Sequence, residues 1–175
     1  MKINLRVADI TQENVWVIVN AANSSLMGGG GVDAAIHEAG GPTILEECKK
    51  IRQYKYPDGL PTGKAVHTSG GNMPCKYVIH TVGPVYPNCG AGCEMELAEC
   101  YENALNIARE LECDSISFPA ISTGVFGYPK RKAARIAYKT VMEYLIRHDV
   151  KMEVNFVFSS EENLEIFERV VKSAS

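Results

Sequence analysis

Val15-Trp16-Val17-Ile18-Val19-Asn20-Ala21-Ala22-Asn23, with Gly28-Gly29-Gly30-Gly31-Val32-Asp33 a few positions on, is the stretch from which the fold of this chain can be read. The opening run of β-branched and aromatic residues shows no polar alternation, which suits a strand buried on both faces of a sheet. Glycines follow it, and Val32 to Ala39 then carries the spacing of a short helix. Buried strand, glycine loop and helix, in that order, is how an open α/β sheet presents a ligand site outside the carboxyl ends of its strands.

The same order returns in the second half of the chain. Ile116 to Pro119 reads as a buried strand, Ser122-Thr123-Gly124-Val125-Phe126-Gly127 as a glycine-containing loop, and Lys130 to Arg147 as a helix with Ala134, Ala137, Val141 and Leu145 on one face. Glycine lets backbone N–H groups approach a phosphate closely, and a helix start adds a favourable dipole. Two such loops are placed to clamp a diphosphate from opposite sides. Either loop alone is as well explained by a turn; together, beside the polar residues described below, they point to a ligand. The first loop lacks the Lys-Ser/Thr ending of a P-loop. It also lacks the spaced GxGxxG form and the acidic residue about 20 positions on that mark a dinucleotide fingerprint.

Around these two units the remaining elements fall into place. Ile3, Leu5 and Val7 alternate with polar residues and read as a strand, and Pro42 suits the first turn of a second helix reaching about Ile51. Tyr56 to Gly63 is a loop. Ala65 to Thr68 and Tyr77 to Val82 are strands joined through Ser69-Gly70-Gly71-Asn72, and Pro84 to Gly92 is a further loop. Ala98, Tyr101, Leu105, Ala108 and Leu111 mark a helix from Glu94 to Leu111; Val154 to Phe158 is a last strand, and Ser159 with Glu162 has the form of a capping box opening the final helix. Strands alternating with helices imply a sheet covered on both faces. No linker, composition shift or repeat divides the chain. The expectation is one domain over residues 1–175, a three-layer α/β/α sandwich. Its central sheet should be mixed rather than purely parallel, because two strands follow one another directly at the N-terminus.

The bulk properties agree with a soluble enzyme or binding domain. At 175 residues, 46% hydrophobic and 22% charged, the chain buries a full core without staples. No apolar run approaches the roughly 20 residues of a membrane helix. Met1-Lys2-Ile3-Asn4-Leu5-Arg6 has neither the apolar stretch nor the cleavage site of a signal peptide, so a cytoplasmic location with no membrane association is expected. The net charge of −3, without long runs of either sign, argues against a broad nucleic-acid surface. It leaves an anionic ligand open, since backbone N–H groups bind phosphate without side-chain charge. The six cysteines, Cys48, Cys75, Cys89, Cys93, Cys100 and Cys113, are expected to be free thiols. A domain of this size needs no disulfide, and the single pair Cys89 and Cys93 falls short of a metal motif.

The polar residues near the first loop carry the chemistry. Asn20 and Asn23 flank two alanines at a strand end, where they point into a crevice or simply make a turn. Asp33 stands at a helix start, as an N-terminal charge or as the carboxylate that holds and activates a water beside a ligand. His37, one helical turn later, is read as structural. Asp9, after the first strand, either makes a turn or accepts a hydrogen bond from a ligand amino group.

Asn20-Ala21-Ala22-Asn23-Ser24-Ser25-Leu26-Met27-Gly28-Gly29-Gly30-Gly31-Val32-Asp33 resembles the signature of the macro domain family, in particular its MacroD-type hydrolase branch. Asp9-Ile10-Thr11 resembles the family's opening motif, and Tyr77-Val78-Ile79-His80-Thr81-Val82-Gly83-Pro84 its central strand. Phe118-Pro119-Ala120-Ile121-Ser122-Thr123-Gly124-Val125-Phe126-Gly127-Tyr128-Pro129 resembles its second phosphate loop. The matches run in order along nearly the whole chain.

The resemblance implies ADP-ribose as ligand, with no cofactor and no metal. By it, Asp9 binds the adenine amino group with the Ile10 backbone alongside. Gly28, Gly29, Gly30, Gly31 and Val32 enclose the diphosphate together with Ser122, Thr123, Gly124, Val125 and Phe126. Asn23 holds the distal ribose, Asn20 supports that wall, Phe126 covers the ribose and Asp33 is the catalytic carboxylate. The implied activity is hydrolysis of esters on the distal ribose, namely release of ADP-ribose from acidic side chains of mono-ADP-ribosylated proteins and deacetylation of O-acetyl-ADP-ribose. A non-catalytic reader of ADP-ribosylated proteins and an ADP-ribose 1″-phosphate phosphatase are the competing readings. Two positions depart from the family pattern. Ala8 replaces a glycine, and Ser159, next to Phe158, stands where many relatives stack an aromatic ring on adenine.

Overall fold

Residues 2–174 are described by the computed structural model; Met1 and Ser175, the two ends of the expected unit 1–175, lie outside the described residues. The strands are β1 (Lys2–Val7), β2 (Val17–Ala22), β3 (Ala65–Ser69), β4 (Tyr77–Val82), β5 (Ser115–Phe118) and β6 (Glu153–Phe158). The helices are α1 (Gly31–Gly40), α2 (Pro42–Tyr54), α3 (Cys93–Glu110), α4 (Lys130–Arg147) and α5 (Glu161–Ala174). The strands form one sheet in the order β1-β6-β5-β2-β4-β3. Neighbours are parallel except β3, which runs antiparallel to β4.

The sheet is therefore mixed, as expected, but for a different reason. β1 and β2 are not neighbours. The antiparallel pair is β3 and β4, which are close in sequence and joined through Ser69-Gly70-Gly71-Asn72. That connection is tight. Gly71 has φ +56°, and a Cβ there would drive into the Gly40 carbonyl at the end of α1, whose oxygen already accepts from the Asn72 N–H at 3.0 Å. Both the left-handed backbone and the lack of space require glycine. Gly71→Ala is expected to cost roughly 3 kcal/mol of stability, read as a lower urea midpoint with an unchanged slope.

Alternation along the strands sorts their side chains into two cores. Val17, Val19, Ile79, Ile116, Phe118, Val154 and Phe156 face α3, α4 and α5, while Ile18, Ala22, Val66, Val78 and Val157 face α1 and α2. The first core is aromatic: Tyr101, Phe118, Phe156 and Phe167 pack with neighbouring ring centroids 4.6 to 6.3 Å apart. Three helices on one face and two on the other make the three-layer sandwich.

Two sequence expectations are corrected. The final helix is capped by Ser160, not Ser159: the Asn163 N–H donates to Ser160 Oγ at 3.2 Å. β6 ends at Phe158 as expected, but α5 starts at Glu161, one residue later than a cap at Ser159 would set it. Cys89 and Cys93 are joined in a disulfide, with Cα atoms 5.1 Å apart, rather than being free thiols. A 3-10 turn over Gly90–Gly92 runs straight into α3, and one turn of helix brings residues at this spacing face to face. The other cysteines, Cys48, Cys75, Cys100 and Cys113, are free and buried. Burial pushes the Cys48 thiol up to about 12 and those of Cys75 and Cys100 up to about 11. These groups stay protonated at neutral pH and are poor nucleophiles. No helix among the described residues is long and apolar enough to cross a membrane.

Candidate functional site

Because β6, β5, β2 and β4 are parallel, their carboxyl ends share one edge of the sheet. The segments that leave them build a single cleft of about 410 Å³, a volume suited to a small-molecule ligand. After β2 come Asn23 and Gly29 to Asp33; after β5, Pro119 to Phe126; after β6, Ser159; after β4, Gly83. The helix that follows β2 covers one face of the sheet, and the helix that follows β5 covers the other. The chain thus divides at the β2–β5 boundary, the crevice where open α/β sheets bind ligands.

The first loop is held in shape by Asn23. Its Oδ1 accepts from the Ser25 N–H at 3.0 Å and its Nδ2 donates to the Gly28 carbonyl at 2.9 Å, so one side chain spans the loop. Leu26 takes φ +61° to complete the turn and buries its side chain. Gly30 is the N-cap of α1 and offers no side-chain cap. The first-turn N–H groups of α1 therefore carry the positive end of the helix dipole to the cleft without a competing side-chain acceptor, the arrangement that suits a phosphate.

The second loop approaches from the other side. Ser122 sits at φ +67°, buried, with its Oγ lacking a hydrogen-bond partner among the described residues. Its carbonyl accepts from the Tyr128 N–H at 2.8 Å, and the Tyr86 N–H donates to the Phe126 carbonyl at 2.8 Å, tying the loop to the segment after β4. Phe126 is half-buried, whereas Val125 projects fully into solvent.

Asp33 lies at the floor, 4% exposed. Asn20 Nδ2 donates to its Oδ1 at 2.8 Å, and His37 Nε2 is 3.4 Å from the same oxygen. Oδ2 turns the other way, toward Gly29, where a Cβ would lie 3.2 Å from it and 3.0 Å from Asn23 Nδ2. The glycine thus keeps open the corner in which Asn23 and Asp33 meet. A buried carboxylate with one oxygen anchored and the other directed at a cleft is placed to hold a water or hydroxyl there.

The structure gathers most of the expected site residues but not all. Asn23, Gly29, Gly30, Gly31, Val32, Asp33 and Ser122 to Phe126 line the cleft. Gly28 does not line it; it lies under His37, receiving the Asn23 bond. Asn20 is wholly buried behind Asp33 and reaches the cleft only through it. Asp9 and Ile10 also stand off the lining. Asp9 Oδ1 caps a 3-10 turn over Ile10–Gln12, accepting from the Thr11 N–H at 3.0 Å and Oγ1 at 2.7 Å. The turn reading of Asp9 is therefore realised, beside the end of β6. Ala8 donates its N–H to the Phe158 carbonyl at 3.1 Å and has no left-handed backbone, so alanine carries no strain there. Ser159 is exposed at the cleft rim, while the Phe158 ring packs 5.3 Å from Phe167 in the core.

Residues outside the sequence reading also line the cleft: Gly83, Lys130 and Asn163. Gly83 was legible only as the end of a strand motif. Lys130 and Asn163 belong to first turns of helices, where sequence alone does not show which side faces inward.

Fold and cleft together define a class, an α/β/α sandwich whose sheet edge carries a small-molecule cleft between two glycine-bearing loops. The macro domain family model matches residues 19–137, and the chain belongs to the macro domain family. It is 49% identical over 170 residues to an O-acetyl-ADP-ribose deacetylase of Escherichia fergusonii, covering 97% of this chain and 95% of that protein. The Oceanobacillus iheyensis macrodomain, solved with ADP, superposes with a TM-score of 0.93 at 45% identity over 96% of this chain and 88% of that one. A Trypanosoma brucei macrodomain in complex with ADP-ribose superposes with a TM-score of 0.87 at 36% identity, covering 97% of this chain and 68% of that one.

Proposed function

We propose that this protein is an ester hydrolase acting on ADP-ribose, deacetylating O-acetyl-ADP-ribose and releasing ADP-ribose from acidic side chains of mono-ADP-ribosylated proteins. The observation that carries the reading is Asp33, a buried carboxylate fixed by Asn20 through Oδ1, with Oδ2 directed at the cleft beside Asn23. A module that only bound ADP-ribose could lose such a group at no cost to binding. The close resemblance to curated O-acetyl-ADP-ribose deacetylases over nearly the full chain supports it.

In this reading the first-turn N–H groups of α1 and the Ser122–Phe126 loop hold the diphosphate, which places the distal ribose against Asn23 and under Phe126. Asp33 orients a water and accepts its proton as the water attacks the ester carbonyl. The carbonyl–oxygen bond to the ribose then breaks, the ribose oxygen takes up a proton, and the acid leaves as its carboxylate. Much of the catalysis comes from holding water and ester together. Acetate and a protein carboxylate are equivalent acyl groups, so one site serves both substrates. Asp9 remains the candidate for the adenine amino group, with Ile10 beside it at the same sheet edge. Residues 1–175 are read as one macro domain, since β1 is carried on β6, and a cytoplasmic location belongs to the same proposal.

The protein substrate is tested with a glutamate-linked mono-ADP-ribosylated protein. Free ADP-ribose accumulating in proportion to enzyme is the expected result. Binding of the modified protein with no release would make the chain a reader of that mark.

A further inference from the structure

We propose that His80 and Thr68, which do not line the cleft, are positioning residues for Asp33, acting through a buried one-way hydrogen-bond chain that fixes the amide of Asn20. The inference rests on the hydrolase reading above and extends it to the opposite end of the sheet's polar interior.

The direction of the chain follows from counting protons. Thr68 Oγ1 has one hydrogen and donates it to the Ser69 carbonyl at 3.0 Å. In its contact with His80 Nε2, at 2.9 Å, it must then accept. The ring proton is therefore on Nε2, and Nδ1 is bare. Asn20 Nδ2 lies 3.1 Å from Nδ1 and donates one N–H to it; the other N–H goes to Asp33 Oδ1 at 2.8 Å. Turning the amide over would set Asn20 Oδ1 against both the Nδ1 lone pair and the carboxylate. Each member is thus held in one orientation by the next.

The strand register makes the arrangement possible. Asn20 and His80 are directly paired across β2 and β4, and Thr68 stands diagonally across β3 on the same face. Thr68, His80 and Asn20 are 1%, 0% and 0% exposed, so no bulk water substitutes for a lost bond. Burial, with His37 and His67 nearby, lowers the His80 ring to about 3, which keeps Nδ1 an acceptor at neutral pH. The effect at the cleft is to tie Oδ1 of Asp33 back and leave Oδ2 directed past Gly29.

The test uses Thr68→Val, close in shape but without the hydroxyl, and Thr68→Ser, which keeps it. Acetate release from O-acetyl-ADP-ribose is measured for both, with ADP-ribose affinity alongside. Thr68→Val is expected to lower kcat by about tenfold with KM and ADP-ribose Kd within about twofold, as a misplaced group would. Thr68→Ser is expected to restore kcat, and Thr68→Val is expected to add nothing in an Asn20→Ala background. In the wild type, 15N NMR should find the His80 proton on Nε2, a readout that does not depend on the variants folding. Unchanged kcat in Thr68→Val, an equal loss in Thr68→Ser, an additive loss beside Asn20→Ala, or a proton on Nδ1 would each overturn the chain. A wild type that binds ADP-ribose but releases no acetate overturns the hydrolase reading, and the positioning role with it. An active wild type with an indifferent Thr68→Val overturns the positioning role alone.

Discussion

Asp33→Ala is expected to lower kcat for acetate release from O-acetyl-ADP-ribose by about 10²–10³-fold, or ~3–4 kcal/mol of barrier, while ADP-ribose binds within a few-fold of wild type. The two effects separate because the carboxylate contributes little to holding a ligand that already carries negative charge. In the proposed binding mode the diphosphate is met by backbone N–H groups of the two loops, which the substitution leaves in place. What is lost is the oxygen proposed to orient water in the corner beside Asn23 and Gly29. Asp33→Asn is the companion variant: it keeps an acceptor for Asn20 Nδ2 but removes the charge. A similar loss in kcat is expected, with the fold intact by thermal melt. Wild-type turnover in either variant would remove Asp33 from the chemistry.

Gly83→Ala should have the largest effect on binding. Gly83 ends the β4 segment and lines the cleft, and a Cβ there would press into Ser122 Oγ and come within 2.7 Å of Ile121 Cγ2. Ser122 Oγ, without a hydrogen-bond partner among the described residues, can rotate aside, but the branched Ile121 side chain and the Ser122 backbone cannot. Ile121 is fully buried, and Ser122 is held at positive φ by the turn that its carbonyl closes with Tyr128. Relief requires moving the second loop, and with it the N–H groups expected to face the phosphates. ADP-ribose affinity is expected to fall by about 10–100-fold, or ~1.4–2.7 kcal/mol, by calorimetry. An affinity equal to wild type would mean that the loop does not depend on this close approach.

The layer architecture was legible because the apolar spacing leaves little choice. The unbroken run Val17-Ile18-Val19 demands a strand with both faces covered, and Tyr77–Val82 and Lys130–Arg147 fall where periodicity places them. Element ends were less legible. β6 ends at Phe158 as its apolar pattern places it, yet α5 starts only at Glu161, so the cap is Ser160 and not Ser159, and nothing local in Cys89 or Cys93 announces the turn that brings them together. In the site, the glycine loops and Asp33 could be found by their position after strands. The part played by Asn20 could not, because a buried amide that faces a carboxylate and an imidazole looks in sequence like any strand-end asparagine. Asp9 carries two readings at once: the hydrogen bonds of its Oδ1 to Thr11 make the turn, and the adenine contact stays a proposal.

The central claim is that the cleft hydrolyses an ADP-ribose ester rather than only holding ADP-ribose. The most direct measurement is the time course of acetate release from O-acetyl-ADP-ribose by the wild-type protein, with substrate in large excess. The expected result is many turnovers per enzyme, with ADP-ribose and acetate appearing in equal amounts. Saturable ADP-ribose binding with acetate release no faster than in enzyme-free buffer would contradict it.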